Sequence, residues 1–101
     1  MDQWFAVRHI VRNGRMFEER ITLWRASDFQ AAIAAARQEA ESYCGLDQSW
    51  ELLDLFQAYA LDGESPDSGS EVFSLIRESD LDADTYVERF FATSAELQRD
   101  I

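Results

Sequence analysis

The sequence predicts an α+β domain of ββαββα order, with a single antiparallel sheet of about four strands and two helices packed on one of its faces. Three observations carry this. Residues 4–12 and 15–25 alternate apolar and polar side chains on either side of Asn13-Gly14, a strong short-range hairpin signal. Residues 27–45 place apolar side chains at helical spacing between a capping signal and a glycine. The second half then repeats the plan, with two aromatic-rich runs around a Gly/Ser/Pro loop and an acid-capped helix behind them.

In the first hairpin, a two-residue type I′ turn at Asn13-Gly14 sets Arg12 opposite Arg15. One face then pairs Trp4 with Leu23, Ala6 with Ile21, Arg8 with Glu19 and Ile10 with Phe17. The other pairs Phe5 with Thr22, Val7 with Arg20, His9 with Glu18 and Val11 with Met16, with Trp24 beyond. Arg8–Glu19 and His9–Glu18 emerge as cross-strand ion pairs worth about 0.2–1 kcal/mol each. A ladder of such pairs accounts for the run Glu18-Glu19-Arg20 without any active site.

Ser27 followed by Gln30 forms a capping box for the first helix, and Gly45 suits its C-terminal end. Phe29, Ala32, Ile33, Ala36, Ala40 and Tyr43 line one stripe, and the alanines allow close approach to a sheet. Residues 50–61, "WELLDLFQAYAL", fit a helix through Leu52, Leu55, Phe56 and Tyr59. They are also short, aromatic and bounded by turns, and are read as a strand. Residues 62–70 hold the one proline, two glycines and three serines, a loop composition. "EVFSLIRES", 71–79, is the partner strand of a second hairpin. Asp82 then caps a helix running through residue 100, with Asp84 in its first turn and Tyr86, Phe90 and Leu97 on one stripe beside Val87 and Phe91.

A chain of 101 residues is the size of one domain, 1–101, with one core. At 47% hydrophobic and 13% aromatic it can build that core without metal or disulfide, and Cys44 is the single cysteine. Twenty acids against nine bases, all arginine, give a net charge of −11, which argues against binding a nucleic-acid backbone. No apolar run is long enough to span a membrane, and Asp2 with the alternation after it is unlike a signal peptide. The expected location is the cytoplasm.

Chemistry finds little support. Cys44 falls near a helix C-terminus, which raises a thiol pKa instead of activating it. Asp80, Asp82 and Asp84 resemble the start of a calcium loop. That loop needs Gly at its sixth position and Glu at its twelfth, where Thr85 and Phe91 stand. His9, Glu18 and Glu19 are too few ligands on two different faces, and no glycine loop suits a phosphate. No catalytic, cofactor-binding or metal-binding residue is assigned, and no cofactor is expected.

Surface remains. With helices over the face of Trp4, Ile10, Phe17, Ile21 and Leu23, the other face would present Phe5, Val7, His9, Val11, Met16, Glu18, Arg20 and Trp24 as an interaction face, most simply for a homodimer. Glu64, Asp67, Asp80, Asp82 and Asp84 form a second candidate surface, for a basic protein. The expected function is thus a non-enzymatic, acidic, self-associating interaction module, in one version an inhibitor or immunity-type protein masking a basic partner such as a nuclease toxin. The alternatives are a small-ligand enzyme or sensor using His9, Glu18 and Arg20, and a nucleic-acid mimic.

"WFAV" at 4–7, "FEERITLWRAS" at 17–27 and above all "EVFSLIRESDLDADTYVERFF" at 71–91 resemble a small bacterial domain-of-unknown-function family, number 4288. The resemblance spans nearly the whole chain and implies a strand at 50–61. It implies no activity and no site residue.

Overall fold

The computed structural model describes residues 2–45, 49–63 and 65–97. Two 11-residue strands, β1 (Gln3–Asn13) and β2 (Met16–Ala26), form an antiparallel hairpin, followed by α1 (Phe29–Gly45) and by β3 (Glu51–Ala60), which pairs antiparallel with β1. Strand order is β2-β1-β3, so β2 and β3 run parallel on either side of β1. Parallel strands cannot be joined by a tight turn, and α1 supplies the crossover. The chain is therefore α+β with one antiparallel sheet, and residues 50–61 do contain a strand.

The hairpin register is two residues from the expected one. Asn13 pairs with Met16, so Gly14-Arg15 is the loop, and Gly14 alone of the two has positive φ (61°), the pattern of a type II′ turn. Asn13 stays in the strand because its side-chain amide donates to Ser49 Oγ at 3.1 Å. A two-residue shift preserves which side chains share a face but changes every partner: His9 now lies opposite Arg20, and Arg8 opposite Ile21. Arg8 still reaches Glu19 diagonally, at 2.6 Å.

Asp28, not Ser27, caps α1, its carboxylate accepting from the Ala31 amide at 2.8 Å. Gly45 lies inside the helix instead of beyond it. Ala32, Ala36, Ala40 and Cys44 form the buried stripe, one residue per turn, and let α1 lie close across all three strands. Beneath it Phe5, Val7 and Ala26 pack with Ala32 and Ala36, flanked by Trp24, Ile33, Phe56, Ala58 and Ala60.

α1 thus covers the face expected to be open. Phe5, Val7, His9 and Val11 are buried, while Phe17, Ile21 and Leu23 on the opposite face are exposed. The reason is that α1 brings polar partners for the charged groups of that face, as described below.

The second half departs further from expectation. Residues 71–80 carry no regular secondary structure, so the described sheet has three strands, not four. Segment 71–77 lies against the open face instead of joining its edge: Phe73 contacts the Tyr59 ring at 6.0 Å and lies under the Arg8 guanidinium at 5.7 Å, and Tyr59 Oη donates to Glu71 at 2.6 Å. Asp82 caps a helix as expected, accepting from the Thr85 amide at 2.9 Å. That helix, α2 (Ala83–Tyr86), passes into a π-helical turn, Val87–Phe91, and stops at Ala92, well short of residue 100. Among the described residues, α2 and the π-turn contact each other and neither α1 nor any strand. The two helices therefore do not share one face of the sheet.

Candidate functional site

Two regions collect the side chains that composition and pattern single out: a polar network between the sheet and α1, and the open face of the sheet.

The network starts at His9, which is 1% exposed in the middle of the central strand. Arg20, directly opposite on β2, brings Nη1 within 3.2 Å of His9 Nε2. A guanidinium can only donate, so Nε2 accepts, and the imidazole is neutral with its proton on Nδ1. Nδ1 has no protein partner among the described residues. The His9 pKa is lowered, first by burial and then by the Arg20 charge, with Glu39 and Glu18 opposing.

Arg20 is anchored in turn by Glu39 of α1 through two bonds, 3.1 and 3.0 Å, a fork-to-fork pair. Its guanidinium stacks on the Tyr43 ring at 3.7 Å, and Tyr43 Oη donates to Glu18 at 2.6 Å. His9 stacks on Phe56 of β3 at 5.5 Å, and Arg37 covers that ring from α1 at 4.5 Å while pairing with Asp54. The Cys44 thiol beside this network is pushed up, chiefly by burial.

These groups tie α1 to all three strands. The lone pair that a general base would use is occupied by Arg20, and the ring is closed off beneath the helix. His9, Glu18 and Arg20 do come together, in a network that ties α1 to the sheet. Of the eight residues expected on an interaction face, Phe5, Val7, His9 and Val11 are buried, Glu18, Arg20 and Trp24 are half-buried under α1, and Met16 is exposed at the hairpin end. Sequence reading missed Glu39 and Tyr43. Their spacing of four places them on one helix face beside the alanine stripe, where they could have been matched to the charges of β2.

The open face carries Trp4, Arg8, Ile10 and Arg12 from β1 and Phe17, Glu19, Ile21, Leu23 and Arg25 from β2. On its β3 side, segment 71–77 leaves a cleft of about 170 Å³ lined by Arg8, His9, Ile10, Leu55, Gln57, Leu75 and Arg77. Ligand pockets run to roughly 300–1,000 Å³, so the cleft is too small for most small-molecule ligands. On the β2 side the face is uncovered: Phe17 is 58% and Ile21 47% exposed.

Of the acidic surface residues, Asp67, Asp80, Asp82 and Asp84 are solvated, and Glu64 lies outside the described residues. Asp82 caps α2, and Asp67 bonds Ser70, so two of the four have local structural roles. Among the described residues no cluster of three or more metal-binding side chains occurs, and no helix is long and apolar enough to cross a membrane. No protein-family model, characterised protein or solved structure matches the chain.

Proposed function

We propose that the chain is a non-enzymatic protein-interaction module that associates with itself through the open face of its sheet. The observation that carries this is surface area. The chain exposes 8018 Å² at a mass of 11.6 kDa, whereas the scaling of surface with mass gives about 5,800 Å² for a folded monomer. Part of that open surface is the β2 half of the sheet face, where Phe17, Ile21 and Leu23 are all exposed.

The radius of gyration points the same way, at 15.5 Å against about 13 Å for a compact chain of this length. Large apolar side chains contribute to the open surface: Leu55, Ile76 and Phe91 are exposed as well. A basic protein partner is the second reading. It rests on the charge of −11 and the solvated Asp80 and Asp84.

Hydroxyl-radical footprinting over a dilution series tests the first reading. Phe17, Ile21 and Leu23 should be labelled in dilute protein and protected when it is concentrated. Labelling independent of concentration would overturn self-association through this face. Steering of a basic partner would appear instead as an association rate that falls steeply with salt.

A further inference from the structure

Among the described residues two apolar surfaces stand exposed, and they are complementary. One is the β2 half of the open sheet face, with Phe17, Ile21 and Leu23. The other is the C-terminal helical segment, residues 82–91, where Val87, Phe90 and Phe91 are exposed, Phe91 at 81%. The segment is a formed, capped element that, among the described residues, rests on neither α1 nor any strand. Arg77 contacts it, donating to Tyr86 Oη at 3.3 Å and lying over the Phe90 ring at 4.5 Å. Meanwhile residues 71–77 already occupy the β3 half of the face, leaving only the β2 half free.

Charge agrees with shape. Residues 78–91 hold five acids, Glu78, Asp80, Asp82, Asp84 and Glu88, and one base, Arg89. On the β1–β2 part of the open face Arg8 is paired with Glu19 and Arg12 with Glu51 of β3, which leaves the exposed Arg25 without an ion pair among the described residues. Two helical segments brought together would oppose acid with acid, whereas the open face carries a small excess of arginine. A segment on a face pairs apolar with apolar and acid with arginine.

We infer that two copies associate by reciprocal exchange, each laying its segment 82–91 across the β2 half of the other's sheet, with Phe91 and Val87 against Ile21 and Phe17. This deepens the self-association proposed above and rests on it. The arrangement is isologous, with the same two contacts made twice, and so closes at two copies.

Complementation between Ile21→Glu and Phe91→Glu tests it, with association measured by sedimentation velocity and folding by circular dichroism. Both residues are exposed in the single chain, so each variant should keep the wild-type spectrum. Each alone should weaken dimerisation by roughly thirtyfold or more, the scale of one central interface residue. Mixed together, they should form heterodimers more tightly than either forms homodimers, because one unmodified segment then meets one unmodified face. Dimers abolished by Ile21→Glu but untouched by Phe91→Glu, or no recovery on mixing, would overturn the exchange while leaving self-association standing. A wild-type chain that is monomeric throughout would overturn both.

Discussion

Replacing Glu39 with alanine removes the anchor of the Arg20 guanidinium, and the cost can be worked from the geometry. An exposed ion pair contributes under about 1 kcal/mol, and breaking a fully buried one costs about 3–5 kcal/mol. The Arg20 and Glu39 side chains are 18% and 35% exposed and joined by two bonds, which places the pair between these limits, at about 2 kcal/mol. The Tyr43 ring keeps part of the guanidinium's support, so the higher figure is not reached. Glu39→Gln keeps one acceptor oxygen and should cost about half as much. A double-mutant cycle with Arg20→Met should return a coupling energy of about 1–2 kcal/mol. The assay is urea unfolding followed by tryptophan fluorescence at one fixed protein concentration, since a self-associating chain gains stability with concentration. A Glu39→Ala cost under about 0.5 kcal/mol, or a coupling indistinguishable from zero, would refute the view that this pair locks α1 to the sheet.

Other outcomes follow from the same structure. Phe5 is buried with its ring 4.9 Å from Phe29, so Phe5→Ala should cost about 3–5 kcal/mol of folding stability; Phe17→Ala, on the open face, should cost the isolated fold under about 0.5 kcal/mol while weakening association. His9 has a folded pKa below its ordinary 6.5, so the unfolded chain binds the proton more readily. Its contribution is therefore fully present above pH 6.5 and is lost as pH falls below that value toward the lower folded pKa. The urea midpoint should drop over that window, and drop less in His9→Gln; equal slopes in the two proteins would contradict this. Cys44 is buried with a raised pKa, so a thiol reagent at mildly alkaline pH should react slowly with native protein and rapidly once urea is added.

The first half of the fold was legible because its signals are local. Alternation around Gly14 announced the hairpin, and helical spacing with alanines announced α1 and its buried side. The exact register was not legible, because Asn13-Gly14 and Gly14-Arg15 both make acceptable two-residue turns, and the register seen is accompanied by a bond from Asn13 to Ser49, 36 residues away, that local sequence does not announce. Which sheet face would be covered was also hidden. Glu18, Arg20 and His9 look like solvent-facing groups until Glu39 and Tyr43 arrive from α1 to satisfy them, a tertiary event that strand periodicity does not carry.

The C-terminal third misled for the opposite reason. "EVFSLIRES" has the alternation of a strand, and 82–100 has the apolar spacing of a helix, yet in the single chain neither is packed as that pattern implies. Phe73 and Tyr59 hold 71–77 over the face, and the helix ends at Ala92 with Phe91 in solvent. Local patterns specify an apolar side that needs covering; they do not specify whether the cover comes from the same chain.

The mass of the wild-type protein in solution tests that point most directly. Light scattering on a sizing column, run from concentrated to dilute protein, should give twice the 11.6 kDa chain mass at the concentrated end, falling toward one chain on dilution. A mass of 11.6 kDa at every concentration would contradict the account.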